Sequence, residues 1–152
     1  MMNRRNFLSF AGSALALSVI PMNLSAEDYR KSRPTVWEAH TIDDATKAMY
    51  GLKTPILSDK VKIKVPKINS SGGAVPVKFE TSLDAKTIAL FQDANPESAV
   101  AVYDVNIYDM KKYEVKIKMG ASGTIMVLVE ATDGKIYMAK VTTEVAAGGC
   151  EG

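Results

Sequence analysis

The sequence contains few of the residues from which disulfides and metal sites are built. It has one cysteine, Cys150, and one histidine, His40. An intramolecular disulfide is therefore impossible, and so is a zinc site made of several cysteines and histidines. We predict no metal, and we expect His40 to be a surface or packing residue. A single cysteine in an exported protein indicates a reactive thiol or a disulfide between chains.

Net charge is also lacking once the first 26 residues are set aside. The chain has 19 basic and 17 acidic residues, and the excess lies in Arg4 and Arg5 of an N-terminal stretch without any acid. A neutral domain has no general electrostatic attraction to nucleic acid or to anionic lipid, so we exclude nucleic-acid binding. With 152 residues, of which 47% are hydrophobic, the chain suits one compact domain.

Residues 1–26 have the pattern of an export signal. Arg4 and Arg5 precede an apolar stretch over residues 7–20, which is too short to span a bilayer comfortably, and Leu24-Ser25-Ala26 suits a cleavage site. The paired arginines followed by Phe-Leu are typical of the twin-arginine pathway, which exports folded proteins. We therefore expect a periplasmic protein that begins at Glu27; an uncleaved anchor is the alternative.

The remaining chain predicts one helix followed by strands. An apolar stripe over residues 35–50 predicts an amphipathic helix, with Pro34 at its start and Gly51 at its end. Alternation and turn residues then predict seven strands, at residues 61–65, 74–80, 86–91, 98–105, 113–119, 124–131 and 135–145. This spacing predicts an all-β fold, an immunoglobulin-like antiparallel β-sandwich; a small closed barrel is the alternative.

Several side chains carry narrower predictions. Trp37 is expected to anchor the helix on the sheet, and Pro76 to mark an edge strand. The lysines between Lys60 and Lys67 indicate a solvated edge, or alternatively a basic strip that faces a partner. Met119, Met126 and Met138 are expected in the core or at a partner surface.

The final seven residues indicate a tether that carries a thiol. After Val145 there is no large apolar side chain to bury, and alanines and glycines leave the backbone unconstrained. From Val145 to Cys150 the chain reaches at most about 17 Å, enough to pass a thiol through a narrow channel into another protein. The expected tether consists of Ala146, Ala147, Gly148, Gly149, Glu151 and Gly152.

Other roles for Cys150 are a buried structural cysteine, a lipidation site or an incidental thiol. Its position among glycines disfavours burial, the lipidation motifs do not fit, and an incidental exposed thiol would oxidise. The neighbouring charges, Glu144 and Glu151, are anionic and disfavour a thiolate, while the nearest cation in sequence is Lys140. We expect the enzymes that receive the thiol to activate it.

These features together resemble one protein family. A double glycine before a near-terminal cysteine, at residues 148–150, is similar to the C-terminal motif of SoxY, the carrier of the thiosulfate-oxidising Sox system. The twin-arginine leader, the helix before the strands, the stretch from Asn69 to Val77 and Asn95-Pro96 also resemble this family. Glu151 departs from the pattern, because the family usually has glycine there.

The resemblance implies a carrier without catalytic residues or a cofactor. It implies that Cys150 holds thiosulfate-derived sulfur as a covalent adduct and works in a heterodimer with a SoxZ-like subunit. SoxAX-, SoxB- and possibly SoxCD-like enzymes would load, hydrolyse and oxidise the adduct. It implies three parts: a signal peptide at 1–26, a β-sandwich domain with its helix at 27–145, and a swinging arm at 146–152.

Two other functions remain open on the sequence alone. A structural or interaction β-sandwich module would use Cys150 for a disulfide between subunits. A thiol reductase or peroxidase would use the same sulfur chemically, but it lacks a resolving cysteine and a nearby base.

Overall fold

The computed structural model describes residues 27–146. The predicted leader and residues 147–152, including Cys150, lie outside these residues. No helix among the described residues is long and apolar enough to cross a membrane.

The described chain forms two β-sheets and three short helices. The helices are α1 (Tyr29–Ser32), α2 (Pro34–Trp37) and α3 (Ile42–Tyr50). The strands are β1 (Ile56–Leu57), β2 (Val61–Lys64), β3 (Ile68–Asn69), β4 (Val75–Thr81), β5 (Ala85–Gln92), β6 (Ala99–Asp104), β7 (Lys112–Ile117), β8 (Gly123–Ala131) and β9 (Ile136–Val145). A 3₁₀ helix, Gly72–Ala74, precedes β4.

The sheets confirm the sandwich rather than a closed barrel. One sheet has the order β1-β9-β8-β5-β6, with β3 also paired to β9, and the other has the order β2-β4-β7. The pairs among the seven longer strands are antiparallel. The two-residue strands β1 and β3, which the sequence did not predict, pair parallel with β9. They are too short to show an alternating pattern.

The predicted single helix over 35–50 is wrong in its extent. The helix breaks between Trp37 and Ile42, because Thr41 adopts an extended conformation and its hydroxyl accepts a hydrogen bond from the amide of Asp44. Its predicted ends are confirmed. Pro34 begins α2, and Gly51 ends α3 with a φ of 70°.

Two apolar clusters hold three layers together. The inner faces of the two sheets meet around Phe79, Leu90 and Ile125. The helices pack on the other face of the larger sheet around Val36 and Phe91, and the half-buried Trp37 packs against this cluster, as predicted for a residue that anchors the helix on the sheet. Successive side chains of β5 alternate between the two clusters, so this strand is covered on both faces and its burial is nearly continuous.

Pro76 does not mark an edge strand, since β4 is the central strand of the smaller sheet. The ladder between β2 and β4 stops at Lys78, so Pro76 lies beyond the end of β2 and its missing amide hydrogen leaves no gap. The lysines of β2 do lie on an edge strand, and Lys62 forms an ion pair with Glu80 at 3.6 Å.

Candidate functional site: the arm root

The last two described residues, Val145 and Ala146, form the point from which the chain continues towards Cys150; we call them the arm root. The Val145 amide donates to the hydroxyl oxygen of Ser122 at 2.9 Å, and the Ala146 amide donates to the carbonyl of Asn69 at 2.9 Å. The root is therefore held from two sides, by β3 and by the turn before β8.

A buried polar cluster lies directly behind the arm root. The side-chain amide of Asn69 donates to the Thr143 hydroxyl oxygen at 2.7 Å and to the Pro66 carbonyl at 3.3 Å. Thr143 in turn donates to the Pro66 carbonyl at 2.6 Å. Asn69 and Thr143 are both buried, and losing one partner would leave a desolvated polar group, so the cluster fixes β3 against the end of β9.

Gly72 permits a close approach beside the arm root. A Cβ atom at this position would lie 2.1 Å from the carbonyl oxygen of Met119 and 3.0 Å from a methyl carbon of Val145. The Met119 amide donates to the Gly72 carbonyl at 2.8 Å. The segment after β7, the 3₁₀ helix and the root therefore touch at one point, where only glycine fits.

Asn95 fixes the neighbouring turns of the same end of the sandwich. Its side-chain amide donates to the Lys118 carbonyl at 2.7 Å, and its side-chain oxygen accepts from the Gly120 amide at 2.8 Å. The β5–β6 turn and the β7–β8 turn are thereby joined. The root consequently projects from a well-braced end of the domain.

The loops that flank the arm root carry small side chains. Residues 70–73 are Ser-Ser-Gly-Gly and residues 120–123 are Gly-Ala-Ser-Gly. No side chain larger than serine occurs in either loop, so another protein can approach the root closely from both sides.

The fold changes the electrostatic surroundings that the sequence suggested. Lys67 is brought opposite Glu144, whose amide donates to the Lys67 carbonyl at 2.9 Å, and Lys118 lies next to Met119 beside Gly72. Lys67, Lys118 and Glu144 are all exposed. Two lysines that are distant in sequence, Lys67 and Lys118, therefore lie on segments that reach the root, whereas the nearest cation to Cys150 in sequence is Lys140.

The predicted site residues fall mostly outside the described chain. The ones that lie outside residues 27–146 are Cys150, Ala147, Gly148, Gly149, Glu151 and Gly152. Ala146 was predicted as part of the tether, but its hydrogen bond to Asn69 assigns it to the folded body. The span from Ala146 to Cys150 is therefore four residues, or at most about 14 Å.

His40, which the sequence predicts to be a surface or packing residue, has a structural contact. Its Nδ1 lies 2.8 Å from the Pro96 carbonyl oxygen, which ties the helical segment to the β5–β6 turn. Among residues 27–146, no three His, Cys, Asp or Glu side chains are grouped so that they would hold a metal ion.

Sequence reasoning missed the roles of Asn69, Gly72 and Asn95 at the arm root. All three lie in turn-forming stretches, which showed only that the chain bends there. Their partners, such as Thr143 and Lys118, are distant in sequence, so the local pattern contained no signal for these contacts.

Comparison with known proteins yields one family. A family model described as sulfur oxidation protein SoxY matches residues 46–150. The sulfur carrier protein SoxY from Chlorobium limicola f thiosulfatophilum has 32% identity and a TM-score of 0.63, over 69% of this chain and 96% of that chain. A search of curated proteins finds no match.

A second group of solved structures shares the fold alone. A superoxide reductase (neelaredoxin) from Ignicoccus hospitalis has 14% identity and a TM-score of 0.52, over 57% of this chain and 80% of that chain. The family match, by contrast, spans most of the chain and extends from helix α3 to Cys150. This chain therefore belongs to the SoxY family of sulfur oxidation proteins.

Proposed function

We propose that this protein is a periplasmic sulfur carrier that holds thiosulfate-derived groups covalently on the thiol of Cys150. The observation that carries the proposal is the family match, which reaches residue 150, together with the 32%-identical sulfur carrier of Chlorobium limicola. The braced arm root supports it, because a carrier needs a fixed point from which its thiol extends.

The dimensions of the arm root suit delivery into another protein. The span of at most about 14 Å from Ala146 to Cys150 allows the thiol to enter a short channel while the folded body stays outside. The small side chains at residues 70–73 and 120–123 let the rim of such a channel come close to the root. A bulky loop at either position would keep the rim of the channel away from the root, and Cys150 would then enter the channel less deeply.

The chemistry assigned to Cys150 is a cycle in which partner enzymes do the work. A SoxAX-like haem enzyme would join the cysteine sulfur to the outer sulfur of thiosulfate, taking up two electrons as the thiol proton is released. A SoxB-like hydrolase would then add water to the terminal sulfonate, which leaves as sulfate and leaves a persulfide on Cys150. A SoxCD-like enzyme would oxidise the remaining sulfur where it is present, and a SoxZ-like subunit completes the heterodimer.

A serine replacement tests the role of the thiol. We expect C150S to abolish sulfate formation from thiosulfate in cells, with growth on organic carbon unchanged and the variant protein present at the wild-type level. Serine keeps the size of the side chain but cannot form the sulfur–sulfur bond. Wild-type sulfate formation by C150S would refute the proposal.

Export is tested separately at the leader. We expect the chain purified from the periplasm to begin at Glu27, and a double replacement of Arg4 and Arg5 by lysine to leave the protein in the cytoplasm. Normal export of that variant would contradict the twin-arginine route without bearing on Cys150.

A further inference from the structure

The outermost strand of the larger sheet, β6, has one unpaired side. Within residues 27–146, it pairs with β5 and with no strand on its other side. The Val105 amide donates to the Lys86 carbonyl, which sets the alternation of the ladder. Tyr103 and Ala101 therefore direct their backbone groups towards β5, while Val102 and Asp104 direct theirs away from it.

The composition of β6 differs from that of the other edge strands. Edge strands are normally protected by charged side chains, by proline or by being very short. β2 carries Lys62 and Lys64, β7 carries three charged residues, and β1 and β3 have two residues each. β6 reads Ala-Val-Ala-Val-Tyr-Asp, so its only charge is at its last residue. An uncharged edge of this length is suited to pairing with another strand.

The apolar side chains of β6 are half-buried rather than covered. Val102 packs at the border of the cluster under the helices, and Val100 and Tyr103 pack at the border of the core between the sheets. A strand added beside β6 would extend both apolar layers as well as the backbone ladder. The edge therefore offers hydrogen-bonding groups and apolar area together.

The position of β6 relative to the arm root indicates which kind of partner it fits. β6 is separated from β9, which carries the root, by three strand spacings of about 4.8 Å, or about 14 Å in all. An enzyme that acts on Cys150 must engage the root. A permanent subunit must leave the root open, and β6 lies at the opposite edge of the sheet.

We propose that the free edge of β6 receives an extended, uncharged strand of the permanent partner subunit. The identity of that subunit rests on the proposed function, whereas the edge itself does not. The added strand bonds to the outward amide and carbonyl of Val102 and continues the larger sheet, so that carrier and subunit share one sheet while the arm root stays accessible.

Proline substitution tests the added strand. V102P removes an amide hydrogen that points away from β5, so the ladder within the chain is kept. K116P is the matched control on the edge of β7. There the Thr81 amide donates to the Lys111 carbonyl, so the alternation also turns the Lys116 amide outward. Both variants are made with C150S, which prevents disulfides between chains, and their folding is checked by urea unfolding.

The measurement is sedimentation of each purified variant titrated with the subunit that copurifies with the wild-type carrier from the periplasm. We expect V102P to weaken the complex at least tenfold and K116P to change it less than twofold. Equal affinity of V102P and wild type would overturn the proposal. A self-associated dimer of the carrier alone that V102P abolishes would overturn it too, because the occupant would then be a second copy.

Hydrogen exchange keeps the test decisive if V102P folds poorly. We expect the amides of Val102 and Asp104 in the wild-type chain to exchange more slowly in the complex than in the isolated carrier. Unchanged exchange at both amides would overturn the proposal. Neither outcome depends on the Cys150 adduct, so failure of the edge and failure of the carrier function are told apart.

Discussion

Gly72 offers the sharpest test of how the arm root is built. In G72A the new methyl group would lie 2.1 Å from the Met119 carbonyl oxygen and 3.0 Å from the Val145 methyl carbon, so the backbone of one segment must move. Such overpacking costs about 1–3 kcal/mol. Loss of the 2.8 Å hydrogen bond from the Met119 amide to the Gly72 carbonyl would add about 1 kcal/mol. We expect a total loss of about 2–4 kcal/mol.

The assay is urea unfolding of the mature chain, with G120A as the control. A Cβ atom at Gly120 would meet the Asn95 side-chain oxygen at 3.5 Å and the Ala94 carbonyl oxygen at 3.6 Å, which are ordinary contacts. We expect G120A to change the free energy of unfolding by less than about 1 kcal/mol. Equal unfolding free energies for G72A and G120A would refute the close packing at the root.

Three further predictions concern the root, the arm and the core. N69A should lower the free energy of unfolding by about 1–3 kcal/mol, because the buried Thr143 hydroxyl loses the hydrogen bond that it accepts from the Asn69 side chain; an unchanged urea midpoint would contradict this. E151G should change the turnover of Cys150 adducts by partner enzymes, and identical rates would remove any role for the side chain. Burial raises the pKa of Tyr50 and Tyr113 above the ordinary 10.0. The stability that they contribute is therefore complete below pH 10 and is lost as the pH rises above it, so the free energy of unfolding should fall from pH 10 upwards; a constant value between pH 10 and 12 would contradict this.

The strands were predictable because their chemistry is local. Alternating residues such as Val61 to Lys64 form an edge strand with one buried and one wet face. Asp133-Gly134 forms the β8–β9 turn with Gly134 at a φ of 82°. The break at Thr41 was missed because the apolar stripe continues across it, although Thr41 and Asp44 form a capping pair that the sequence contains.

The arm root was predictable only in position. The absence of large apolar residues after Val145 predicts that the last strand ends there, and β9 does end at Val145 in the structure. Two contacts at the root depend on turns that are distant in sequence and meet at one end of the domain. In one, Asn69 holds Ala146, and in the other Gly72 lies between Met119 and Val145. Contacts of this kind leave no periodic trace in the sequence.

The most direct test of the account is the mass of the peptide that contains Cys150, isolated from the periplasm of thiosulfate-fed cells without reducing agents. We predict adducts with the masses of a sulfonated sulfur and of bare sulfur on the Cys150 side chain, both removed by a thiol reductant and both missing from cells grown without thiosulfate. A free thiol or a simple disulfide between chains as the only forms in thiosulfate-fed cells would contradict the carrier role.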